Sequence, residues 1–109
     1  VTRIIVLETT FSSKEEAKRV ATGIIEKGLA ACCQIIPSVI STYVWQEKIE
    51  IAEECILRCK TLEEKVLPLQ EYILSVHPYQ VSELISYPAE CGNKLYYAWM
   101  QSCVEGSSA

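Results

Sequence analysis

The segment 33–60, CQIIPSVISTYVWQEKIEIAEECILRCK, decides how this chain folds. Its first half is made of strand formers: Ile35, Ile36, Val39, Ile40, Thr42, Tyr43, Val44 and Trp45 are β-branched or aromatic and suit a pleated surface. Gln46, Glu47 and Lys48 form a short polar connection. Beyond it Ile49, Ile51, Cys55, Leu57 and Cys59 alternate with Glu50, Glu54, Arg58 and Lys60, the period of a half-buried strand. Ala52, Ile56 and Cys59 also fit a helical repeat, but a strand-rich partner just ahead of a short connection favours a β-hairpin. Pro37 has no N–H to donate to a ladder and should mark a bulge, a bend or an unpaired edge.

The same decision governs the chemistry of the cysteines. Four residues apart on one strand, Cys55 and Cys59 share a face with Cα atoms roughly 13 Å apart, too far for one metal with sulfur bonds of about 2.3 Å. The adjacent Cys32 and Cys33 point to opposite faces. No C-x-x-C pair is present, and the one His lies outside any ligand-spaced cluster, so a structural zinc site is not expected. Six Cys in 109 residues that also carry long periodic apolar segments read as the thiols of a reduced, cytoplasmic protein rather than a disulfide scaffold.

Outward from the hairpin, Arg3 to Leu7 read as a short buried strand ending in the polar run Thr9–Ser13. Ser13 and Glu16 make a capping box, and Ala17, Val20, Ala21, Ile24 and Ile25 recur at helical spacing up to Gly28. Gly23 inside that helix points to close packing, expected on a sheet. Thr61 and Glu64 suggest a second capping box before the stripe Val66, Leu69, Ile73 and Val76, with Pro68 placing the regular helix near itself. Leu84 to Tyr87 read as a strand ended by Pro88, and Gly92-Asn93 as a turn. Tyr96, Trp99, Met100 and Cys103 then recur as a terminal amphipathic helix. The order β, α, β, β, α, β plus a helix is an α+β, ferredoxin-like βαββαβ sandwich, with one domain over 1–104 and a frayed tail over 105–109. The long hairpin and the extra helix exceed what a lone sheet needs, which points to pairing between subunits.

Composition narrows the function. Half the residues are apolar and the net charge is −4, so the chain has the makings of a core, and no basic stripe marks it for nucleic acid. No apolar run approaches the ~20 residues of a membrane span, and no signal-peptide pattern precedes the first strand. Thr9 to Lys14 lacks the Gly and Arg of an acylphosphatase-like anion loop, and no Ser/His/Asp set or carboxylate pair stands out; no enzyme is expected.

Leu29 to Cys32, Ile35-Ile36-Pro37, Ser41, Tyr43, Trp45, Lys48, Glu50, Lys60-Thr61, Ser75 to Tyr79, Gly92-Asn93, Tyr97 and Trp99 together resemble the CutA family of divalent-cation tolerance proteins, in register over almost the whole chain. The resemblance implies a homotrimer with PII-like architecture, a role in tolerance of copper and other divalent cations, and no catalytic reaction or organic cofactor. It places the family's metal ligands at Glu8, Val76 and His77, of which His77 alone is a good soft or borderline ligand; Glu8 suits a harder ion. With Cys32, which matches the family's central Cys, His77 and Glu8 are the candidate ligands for weakly bound copper or another divalent cation. His77 can instead bond a backbone carbonyl, and Cys32 can serve as a small buried hydrophobe. Tyr43, Trp45 and Trp99 are candidates for the subunit interface. A PII-like regulatory module with a small ligand in the subunit clefts is the alternative.

Overall fold

The computed structural model describes residues 2–105. It contains β1 (Ile4–Phe11), α1 (Lys14–Glu26), β2 (Cys32–Trp45), β3 (Lys48–Leu62), a 3-10 turn at Glu63–Lys65, α2 (Val66–Val76), β4 (Ile85–Ala89) and α3 (Lys94–Glu105). The strands form one antiparallel sheet in the order β2-β3-β1-β4, the ferredoxin-like arrangement with an extra helix at the end.

The hairpin turns on two residues, Gln46 and Glu47, both at positive φ (51° and 68°), the mirror-image geometry that matches the twist of the flanking strands. From Trp45↔Lys48 the ladder runs in constant register down to Val39↔Glu54. There the next pair is Ile36↔Ile56, so β2 spends one residue more than β3. Pro37 and Ser38 make that bulge, Ser38 standing at φ 60°. Everything below the bulge is displaced by one residue, and Cys33 meets Cys59.

Alternation along β1 and β3 sorts the core. Leu7, Phe11, Leu57 and Cys59 face α1 and α2 and meet Ala17, Val20, Ile24, Leu69 and Ile73 in the main cluster. Each large side chain buried there contributes about 1.5–3 kcal/mol. On the other face Ile4 and Leu62 join Met100 and Val104 in a smaller cluster under α3.

Several local details depart from the sequence expectations. β1 continues through the polar run to Phe11, because Thr9 and Thr10 are buried in the sheet rather than free in a loop. Ser13 caps α1 by accepting the Glu16 N–H at 3.2 Å, and Gly28 follows the helix at φ 67°. Gly23, however, packs on Tyr72 of α2 and not on the sheet; an added Cβ would collide with the Tyr72 hydroxyl. Thr61 caps nothing. It lies buried near the end of β3, donating to the Leu29 carbonyl at 2.7 Å, and α2 starts from the 3-10 turn with Pro68 in its first turn, where a missing N–H costs little. Pro88 lies within β4, which an edge strand tolerates. In α3 Trp99 is half-exposed while Val104 is buried, so the inward stripe is rotated from the one expected. Glu105 closes α3 rather than opening a tail, and 106–109 lie outside the described residues.

Left-handed backbone costs a non-glycine residue about 1–2 kcal/mol. Glu47→Gly is therefore expected to raise stability by about 1 kcal/mol, read as a higher denaturant midpoint at fixed protein concentration; an unchanged midpoint would contradict a strained turn.

Candidate functional site

The His77-Pro78-Tyr79 segment forms where α2 has to stop. Proline disfavours the helical conformation in the residue before it, and His77 accordingly turns to extended backbone (φ −73°, ψ 131°) while its N–H still closes the helix on the Ile73 carbonyl. The imidazole drops onto the end of β1. It stacks on Phe11, with ring centroids 4.3 Å apart and planes 11° from parallel. Nε2 lies 2.8 Å from the Thr10 carbonyl and 3.1 Å from Thr9 Oγ1, while the Tyr79 N–H donates to Nδ1 at 3.1 Å. A carbonyl only accepts, so Nε2 carries the proton and Nδ1 takes the Tyr79 donor: the ring is neutral with both nitrogens engaged. Burial holds its pKa below the usual histidine value, against the opposing pull of the Thr10 carbonyl and of Glu16 and Glu54.

Tyr79 then crosses to the hairpin and donates its hydroxyl to Glu54 at 2.8 Å; burial and this carboxylate push the phenol pKa up. Tyr79, Glu54, Tyr43, Trp45, Glu53 and Glu83 line a cleft of about 440 Å³ between the hairpin and the segment after α2. Glu83 is raised above the ordinary carboxylate value by burial, and further by the charges of Glu8 and Glu54. Aromatic walls with acidic corners suit a cationic or hydrogen-bonding group.

The three candidate ligands do not converge within this chain. Thr9 and Phe11, which hold His77, alternate with Glu8 along β1, so Glu8 projects from the opposite face. There its Oε2 accepts from Arg58 Nε and from the Tyr87 hydroxyl, each at 2.8 Å; the Arg58 hydrogen bond leads in holding this carboxyl below its usual range. Cys32 opens β2 opposite Lys60, beside Tyr96, whose hydroxyl is pushed up by burial and by that thiol. Among the described residues no three His, Cys, Asp or Glu side chains are grouped to hold a metal ion. Tyr43 and Trp45 share the cleft; Trp99 lies apart on α3 against Tyr96, ring centroids 5.4 Å apart.

The description of the CutA1 divalent ion tolerance protein matches residues 5–103. This chain belongs to the CutA1 family. It is 47% identical over 88 residues to the CutA homolog of Xenopus laevis, covering 81% of this chain and 58% of that protein. Mouse CutA is 40% identical over 99 residues, 91% of this chain and 56% of the mouse protein. The chain thus spans little more than half the length of these relatives. The crystal structure of CutA1 from Oryza sativa superposes with a TM-score of 0.90 at 36% identity, covering 94% of each chain. Within the CutA1 frame, sequence reasoning singled out His77 and the hairpin aromatics, but not the Tyr79–Glu54 bond or the Glu8–Arg58–Tyr87 group. The acidic pair Glu53-Glu54, on the strand that follows Tyr43 and Trp45, was the available signal.

His77→Ala removes a stacked ring and leaves the Thr10 carbonyl and the Tyr79 N–H without it, an expected loss of about 1–3 kcal/mol. The depressed pKa means that unfolded chain takes up a proton which the folded protein resists. The contribution is therefore complete above the unfolded value of about pH 6.5 and lost as pH falls. In metal-free buffer the wild type should lose stability on acidification more steeply than His77→Ala; equal slopes would contradict the buried neutral ring.

Proposed function

We infer that this protein is a homotrimeric divalent-cation tolerance protein of the cytoplasm that binds copper or another divalent cation weakly. The observation that carries the assembly is the arm of the hairpin above the bulge. Ile40, Val44, Ile49 and Ile51 all fall on one face there, with relative exposures of 72%, 69%, 75% and 69%. A contiguous apolar stripe on a projecting arm marks an interaction surface, and cyclic self-association of like arms buries it. Membership of a family described by divalent-ion tolerance supports the metal part.

The geometry of the candidate ligands accounts for weak binding. A metal at His77 must displace either the Thr10 carbonyl or the Tyr79 amide, and one at Glu8 must compete with the Arg58 guanidinium. A single copy offers no set of three donors among its described residues, so a fuller coordination shell draws on neighbouring subunits. The aromatic and acidic cleft at Tyr43, Trp45, Tyr79 and Glu54 favours a second reading, a PII-like module holding a small ligand between subunits.

Native mass spectrometry at micromolar concentration is expected to show trimers, and a persistent monomer would refute the assembly. Metal titration with a competing chelator should give weak copper binding that His77→Ala weakens further. Unchanged affinity removes His77 as a ligand, while a metal-free trimer that binds no cation favours the regulatory reading.

A further inference from the structure

We propose that Cys33 and Cys59 are a reversible dithiol–disulfide site, oxidised by a low-molecular-weight disulfide of the glutathione class, that staples the root of the hairpin. This inference is independent of metal binding.

The two residues are directly opposed on antiparallel strands, and their sulfurs share a hydrogen bond at 3.7 Å. Opposed residues in such a ladder have Cα atoms about 4.5–5.5 Å apart, inside the range of about 4.4–6.8 Å that disulfides span. Closing the bond therefore needs side-chain rotation and no change of register. The placement is a product of the Pro37-Ser38 bulge: in the register of the upper arm Cys33 would face Lys60. Cys55 instead faces Phe11, and Cys32 faces Lys60.

The two sulfurs are unequal. Cys59 is fully buried in the main core, whereas Cys33, on the edge strand β2, packs against that core and is only partly buried. Cys33, the sulfur that a disulfide in solution can reach, is thus the attacking group and Cys59 the resolving one. Cys33 Sγ attacks one sulfur of glutathione disulfide, forming a mixed disulfide; the expelled glutathione thiolate takes up the proton Cys33 gave to solvent. Cys59 then loses its proton, attacks Cys33 Sγ and expels the second glutathione, which is protonated in turn. Two protein thiols are oxidised and one disulfide is reduced to two thiols. The new bond closes the chain from 33 to 59 and ties the arm carrying Tyr43 and Trp45 to the core.

The test equilibrates the assembled, metal-free full chain in glutathione buffers of graded oxidised-to-reduced ratio, followed by acid quench, alkylation and peptide mapping. Expected is a Cys33–Cys59 crosslink, lighter by two hydrogens, at a more reducing ratio than the one at which exposed Cys91 acquires glutathione. Cys59→Ser should trap glutathione on Cys33, and Cys33→Ser should leave Cys59 unmodified. If Cys59→Ser does not fold, Cys33→Ser and the wild-type titration still decide. Cys33 and Cys59 alkylated throughout, a mixed disulfide on wild-type Cys33 that never resolves, or pairing of either residue with another cysteine would overturn the proposal.

Discussion

The cross-strand register of the β2–β3 hairpin is the constraint on which the rest of this molecule depends. A two-residue turn at Gln46-Glu47 sets it at the top, and the Pro37-Ser38 bulge resets it by one residue midway. Because side chains alternate with a period of two, a one-residue reset exchanges the faces of β2. Below the bulge Cys33 and Ile35 reach the helix-covered core; above it Tyr43 and Trp45 face the cleft, and Ile40 and Val44 share the opposite side with Ile49 and Ile51. One strand therefore serves a core at its root, and lines a cleft and an exposed apolar stripe along its arm.

The His77 latch ties the second half of the chain to that frame. α2 ends because Pro78 forbids another helical residue, and the freed imidazole fastens the segment to Thr10, Thr9 and Phe11 at the end of β1. Tyr79 carries the tie onward to Glu54 on β3, so β1, the hairpin and the segment after α2 meet at one cleft. A histidine with both nitrogens engaged holds structure together here.

Much of the fold was legible in the chain. The β-branched alternation of 33–60, the Ser13–Glu16 cap and the Leu69/Ile73 stripe each state a local preference that packing then reinforces, and Pro37, through its missing donor, pointed to a bulge, a bend or an edge, of which the structure has the bulge. Thr61 misled because a Thr three residues before a Glu looks the same whether it caps a helix or donates to a distant carbonyl. Thr9 and Thr10 misled similarly: polar residues at a strand's end read as loop until a histidine 68 residues away supplies a partner.

The sequence by itself determined the order and type of the elements, the family and the location of the hairpin, since these follow from periodicity, propensity and turn chemistry within short windows. Tertiary structure alone decided which side chains meet. His77 is satisfied by β1, Glu8 is claimed by Arg58 and Tyr87, and Cys33 faces Cys59 instead of Lys60. Those partnerships join residues tens of positions apart, and each depends on a register that a single extra residue in one strand is enough to shift.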